Sequence, residues 1–428
     1  MIHTAAKQVS RRVMARAART AKLVGPTSLL PSRSPPSRFL HDGISGSNPN
    51  PVSLQMINYA LSHARSLKSE VSYGQSMIVL EQCLEQTSES DDSRALVFMA
   101  MSTLLSERGN YDEAIEKLKS VQDLSSSSVG LRVAAMEALV GLYLELGQDD
   151  TSTMLADKCL IILGQNEHKL SGRGGEVIRA RANAVKGLVE LVHGDIQSAE
   201  CFFGPGDNEG LIGSAALSYG ELLHAKKNLS LAKELYEKLV RELSEKKDIG
   251  NSYSLAACNM SPEEVLLTAT CALGQLEAQL GNFGDAEEIL TRALNKAEKH
   301  FGSYHPKVGV VLTCIALMFR RKATQERSSS LLIQEGLYRR ALELLKAPPL
   351  DTEGAEANVP RRDIIALARG GYGEALCVQQ NRKEQGEEMK RWAESAWRNR
   401  RLLLAEALEM SESSSKAVVI DTRISRAL

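Results

Sequence analysis

Along most of this chain the hydrophobic residues recur at steps of three and four, in stretches of about a dozen residues separated by single turns. That pattern predicts paired amphipathic helices. Residues 273–294, LGQLEAQLGNFGDAEEILTRAL, show it most clearly: Gly274 lies twelve positions before Ala286, Gly281 lies five before it, and Leu290 and Ala293 follow four and seven after it. The spacing recurs around Ala199 with Gly187, Gly194 and Phe203, and around Ala232 with Gly220 and Tyr236. It recurs around Ala114 with Ser102, Gly109, Tyr111 and Leu118, and in a weaker copy around Ser152 with Gly147, Ala156 and Cys159. Small residues let two helix axes approach while Leu, Tyr and Phe fill the space between them. Gly274 and Ala286 are therefore expected to face one another where two helices cross. A single hairpin of this kind cannot bury its apolar face, so successive hairpins must stack.

This arrangement resembles the tetratricopeptide repeat, whose units run about 34 residues. The resemblance places the family's small first-helix position on Ser102, Gly187, Gly220, Gly274 and Ala316, and its second-helix alanine on Ala114, Ala199, Ala232 and Ala286. Its later aromatic or leucine falls on Leu118, Phe203, Tyr236, Leu290 and Tyr338. The family's first-helix tryptophan is absent and its late proline mostly missing. Residues 289–319 followed by 335–345 are similar to the longer variant of kinesin light chains, with Gly302, His305 and Pro306 in its Gly-x-x-His-Pro loop. About six extra residues before Leu331 depart from that variant. The resemblance implies an all-α, right-handed solenoid of helix-turn-helix repeats over residues 53–346, with a degenerate repeat and capping helix over 361–410. Turn-rich spacers at 86–93, 124–128, 164–176, 244–264 and 347–362 make it irregular. Residues 411–428 read as a flexible tail.

Charge divides the chain. Eight of its 52 basic residues fall in the first forty positions, before any acid, leaving 44 against 53 acids and a balance of −9 for the remainder. Ile2, Ala6, Val9, Val13 and Ala17 can share a helix face there, with Arg11, Arg12, Arg16 and Arg19 around it. An acid-poor, Arg- and Ser-rich amphipathic start has the composition of an organelle transit peptide, expected over residues 1–40. The mitochondrial matrix is the expected destination and the chloroplast stroma its alternative; a basic surface-binding arm is the rival reading. No run of eighteen uncharged apolar residues occurs, so no transmembrane segment is expected.

Candidate chemistry is sparse. The seven cysteines are scattered with no CxxC pair, His300 and His305 lack a third ligand nearby, and Gly172, Gly174 and Gly175 are not followed by Gly-Lys-Ser/Thr. No catalytic residue, cofactor or metal site is expected. Trp392 and Trp397 point in different directions on one predicted helix, one onto the preceding hairpin. Arg398, Arg400 and Arg401 beside them read as a solvated face or an anion contact.

The composition and the resemblance together imply a non-enzymatic interaction scaffold or assembly factor of an organelle. First-helix surface positions in the family line a concave groove. Here they place Glu107, Glu137, Glu145 and Glu221 toward one half, Gln275 and Gln279 in the middle, and Arg320 with Arg321 at the other end; Arg181 is the exception among the acids. Clustered acids on such a wall would attract a protein segment bearing Lys or Arg, such as a basic peptide or helix. The alternative is an RNA-associated helical-repeat protein, but the acidic balance and unequal spacers make nucleic acid an unexpected partner.

Overall fold

In the computed structural model, which describes residues 50–204, 211–245, 256–327, 330–352, 359–409 and 417–428, nearly every element is an α-helix. The helices are α1 (Pro51–Leu67), α2 (Glu70–Gln86), α3 (Asp91–Glu107), α4 (Tyr111–Asp123), α5 (Val129–Glu145), α6 (Asp149–Gln165), α7 (Gly172–His193) and α8 (Ile196–Phe203). They continue with α9 (Gly213–Ala225), α10 (Leu229–Glu245), α11 (Pro262–Gln279), α12 (Phe283–Phe301), α13 (Pro306–Glu326), α14 (Leu331–Leu344), α15 (Arg362–Cys377), α16 (Lys383–Ala396) and α17 (Leu404–Glu409). Successive helices pack in pairs, so that α1 to α16 form eight hairpins, and each hairpin packs on the next. The chain is an all-α helical-repeat solenoid. The expected transit peptide lies in residues outside those described.

Local sequence sets the boundaries. Asn50 caps α1 ahead of Pro51, Ser69 and Ser72 form a capping box on α2, and His305 caps α13 ahead of Pro306. In the first seven hairpins the turn contains a left-handed residue after the first helix. Gly281 takes φ 82° there, and the Asn282 amide reaches back to the Glu277 carbonyl at 2.9 Å. In the fifth hairpin Lys227 takes the same turn at φ 60°.

The small positions pack as the spacing requires, with one change of partner. A Cβ on Gly274 would lie 2.6 Å from Leu290 Cγ, on Gly187 2.5 Å from the Phe203 ring, and on Gly220 2.8 Å from the Tyr236 ring. In each case the partner lies sixteen residues on. Gly274 therefore packs against Leu290, one turn beyond the Ala286 position expected to face it, while Ala286 is fully buried in the same hairpin. In the second hairpin Ser102 takes the place of glycine and donates to the Ala114 carbonyl at 2.9 Å.

Two kinds of helix result. Second helices bury one stripe, as α12 does with Phe283, Ala286, Leu290, Ala293 and Ala297. Several first helices are buried almost all round: α5 hides both Leu131, Val133 and Leu142 and the polar Glu137 and Glu145. A helix buried all round needs a cover on the side away from its own hairpin. Two segments of the chain supply it, and they define the inner wall.

Candidate binding groove

The first cover is residues 256–261, the end of a spacer. A short 3-10 turn at Cys258–Met260 lies on α3 and α5. The Cys258 amide donates to Thr103 Oγ1 at 3.0 Å, its thiol lies 2.9 Å from Ser102 Oγ, and Asn259 sits where Gly141 carries no side chain.

The second cover is the C-terminal segment. Residues 417–428 were expected to belong to a flexible tail; instead every one of them is buried. The segment folds into a two-stranded antiparallel ribbon, β1 (Ile420–Asp421) and β2 (Arg426–Ala427), with Ile420 opposite Ala427 and Asp421 opposite Arg426. Its side chains alternate between two cores. Val418, Ile420 and Ala427 pack into the cluster built by α11 to α17, whereas Val419, Ile424 and Leu428 pack into the cluster built by α5 to α9. Aliphatic residues at period two thus find apolar surface on both sides, which a solvated tail would forgo.

The wall reads this ribbon through its backbone. The Gln275 side chain donates to the Ile420 carbonyl at 3.0 Å and accepts from the Ile420 amide at 2.8 Å. One turn further along α11, Gln279 donates to the Val418 carbonyl at 3.2 Å. Lys307 Nζ donates to the carbonyls of Thr422, at 2.8 Å, and Arg423. Thr268 and Thr422 share a hydroxyl contact at 2.7 Å. Asn399 donates to the Ala427 carbonyl at 2.7 Å, and Arg401 donates to the carbonyls of Ala417 and, at 2.6 Å, Leu428. That is one of the three arginines near Trp397 placed on the chain's own backbone.

Two arginines carry the charge recognition. Arg423 is 0% exposed, and its guanidinium donates to Glu221 Oε2 at 2.7 Å, Asp421 Oδ2 at 2.8 Å, Ser218 Oγ at 3.1 Å and Ser214 Oγ at 2.7 Å. Arg426 donates from Nε to Asp363 Oδ2 at 2.7 Å, and from its two terminal nitrogens to the oxygens of Asp149 at 2.7 and 3.2 Å. It also reaches the Leu144 carbonyl at 3.1 Å, so one side chain ties the end of α5, the start of α6 and the start of α15 together. Guanidinium forks suit paired carboxylates in this way.

Burial and charge set the protonation states. Burial, helped by the nearby Asp421, pushes the Glu221 carboxyl well above its ordinary range in spite of Arg423. Burial also pushes Glu264 up to about 8, against the pull of Lys307 3.8 Å away. Glu145 goes the other way. Burial raises it, but Lys307 at 3.2 Å and Arg361 at 3.4 Å hold it below the ordinary carboxylate range.

The eight groove positions named from the sequence therefore divide. Glu145, Glu221, Gln275 and Gln279 meet at the ribbon, Glu145 through Ser425 at 3.4 Å as well as through Lys307. The other four join hairpins. Glu107, on α3, accepts from Arg65 at 2.7 Å and lies 3.5 Å from His300, which brings the first hairpin against the sixth. Glu137 pairs with Arg181 on α7. Arg320 pairs with Glu374 on α15, and Arg321 donates to the Gln279 carbonyl at 3.1 Å. The acids do not stand on an open wall: Glu145 and Glu221 are buried against cations of the same chain, two of them in the ribbon or holding it.

Sequence reasoning missed Asp149, Lys307, Asp363, Arg423 and Arg426. The available signal was the aliphatic content of residues 417–428, AVVIDTRISRAL, which is too apolar for a solvated end. Trp392 packs under Arg369 at 3.8 Å and donates to the Thr352 carbonyl, and Trp397 donates to the Leu402 carbonyl. His305 caps α13 by accepting from the Lys307 amide at 3.2 Å. Among the described residues no group of three or more His, Cys, Asp or Glu is placed to hold a metal ion, and no helix is long and apolar enough to cross a membrane. The sequence matches no protein-family model and no curated protein.

Proposed function

We propose that this chain is a non-enzymatic protein-interaction scaffold, or an assembly and maturation factor, of the tetratricopeptide type, and that its inner groove takes a segment of a protein partner. The observation that carries this reading is the way the first helices hold residues 417–428. Side-chain amides grip the backbone of a short ribbon while carboxylates from separate helices take its arginines. A wall that recognises a peptide backbone by such means is suited to polypeptide ligands. The sixteen-residue step from Gly187 to Phe203, Gly220 to Tyr236 and Gly274 to Leu290 supports the repeat type. The composition of residues 1–40 supports an organelle setting, with the mitochondrial matrix preferred.

The test is capture of the full-length protein from isolated organelles with and without nuclease. Protein partners retained after nuclease treatment support the scaffold. Association that disappears with the RNA would replace it by the nucleic-acid reading.

A further inference from the structure

The ribbon of residues 417–428 also specifies what a partner must look like. We propose that the groove selects a polypeptide segment with an aliphatic run, an Asp-closed turn and two arginines three residues apart, and that such a segment from a partner takes the place of the resident one. This rests on the scaffold reading and gives it a ligand.

Access comes first. Glu145 and Glu221 are buried, and the bonding groups of Gln275 and Gln279 are engaged by the ribbon, so a partner segment that uses all four has to replace it. The ribbon is tied together as a unit. Its strands bond to each other, with the Leu428 amide on the Val419 carbonyl at 2.8 Å, and the Arg423 amide closes the turn on Asp421 Oδ1 at 2.8 Å. Those bonds would travel with the segment; what it would leave behind are its hydrogen bonds to the wall and its apolar packing in the two core clusters.

Selection follows from what would be left unmatched. Glu221 and Asp363, 0% and 2% exposed, each take a guanidinium from the ribbon, and Asp149 takes the second face of Arg426. A segment lacking the second arginine would bury the Asp363 carboxylate without a cation, which is strongly unfavourable, and one lacking the first would leave Glu221 Oε2 without its hydrogen-bond donor. A segment without aliphatic residues on both sides would fail to bridge the two core clusters that Val418, Ile420, Val419 and Ile424 now join. Gln275 and Gln279 add no preference for sequence, since they read only main chain, but they require an extended backbone at that place.

The experiment uses the full-length chain carrying a protease recognition sequence within residues 410–416, cut after folding. A fluorescent synthetic peptide of residues 417–428 is then added, with unlabelled competitors, and uptake is followed by anisotropy. The nicked protein should exchange its ribbon for the labelled peptide. Competitors carrying Arg423→Ala or Arg426→Ala should be weaker by about 30-fold or more. Uptake indifferent to the arginines would overturn the proposal, as would a labelled single-stranded RNA that expels the ribbon. Hydrogen exchange on the uncut protein covers the case in which the nicked form unfolds. Amides of residues 418–428 should open without global unfolding, and exchange only through global unfolding would make the ribbon a permanent part of the core. Organelle partners captured after nuclease, together with no peptide exchange, would retain the scaffold and remove this ligand.

Discussion

Gln275 holds Ile420 by both of its main-chain polar groups, donating to the carbonyl at 3.0 Å and accepting from the amide at 2.8 Å. A helix side chain thus does for β1 what a neighbouring strand would do. The ribbon needs such partners because each strand has only one strand beside it, and its other edge is buried.

Gln275→Ala should leave that amide and carbonyl without partners in a buried place, at about 1–3 kcal/mol each. The expected outcome is faster hydrogen exchange at residues 418–428 with the α1 to α4 amides unchanged. Equal protection in the variant would show that the amide contributes nothing to holding the ribbon.

Arg423 and Glu221 should behave as a coupled pair. Arg423→Met strands Glu221 beside Asp421 and is expected to cost roughly 3–5 kcal/mol, whereas Arg423→Met combined with Glu221→Leu should recover much of that loss. Denaturant melts of the two single variants and the double variant measure the coupling. Additive losses would mean the ion pair is not formed.

Stability should depend on pH through Glu264. Its carboxyl titrates near 8 in the fold against an ordinary 4.5, because burial outweighs Lys307. The folded state therefore keeps a proton that the unfolded chain releases. The contribution is fully present below 4.5 and is lost as pH rises through 8, a few kcal/mol in all. His224 and His305, brought down by burial to about 4 and about 3, act oppositely, losing stability as pH falls below the ordinary 6.5. Glu264→Gln isolates the first effect: its Tm should gain on the wild type between pH 5 and 8 and level off above. A constant difference would contradict the assignment.

Within the sixth hairpin, Ala286→Leu should overpack a fully buried position by roughly 1–3 kcal/mol. Gly274→Ala should also destabilise, because its new Cβ meets Leu290, and a smaller residue at 290 should make the two changes less than additive. An unchanged Tm for Ala286→Leu would mean that this position is not packed as described.

Residues 1–40 fused to a reporter should carry it into mitochondria. Fluorescence microscopy with organelle markers decides the matter, and a reporter left in the cytosol or found only in plastids removes the mitochondrial setting.

The repeated step of small and large residues determined the helices, their pairing and their stacking, because those depend on contacts within about twenty residues of chain. Gly187, Gly220 and Gly274 could be recognised as close-approach positions for that reason, although their partners proved to be Phe203, Tyr236 and Leu290. The inner-wall positions Glu145, Glu221, Gln275 and Gln279 were placed on one surface by the resemblance to the repeat family. What covers them was not. Arg423 meets Glu221 across 202 residues and Lys307 meets Glu145 across 162, and no local period records such separations. Glu107 likewise looked like a groove acid until the array wound back and brought Arg65 and His300 to it. Periodicity establishes which face of a helix is inward; only the tertiary structure decides what that face meets.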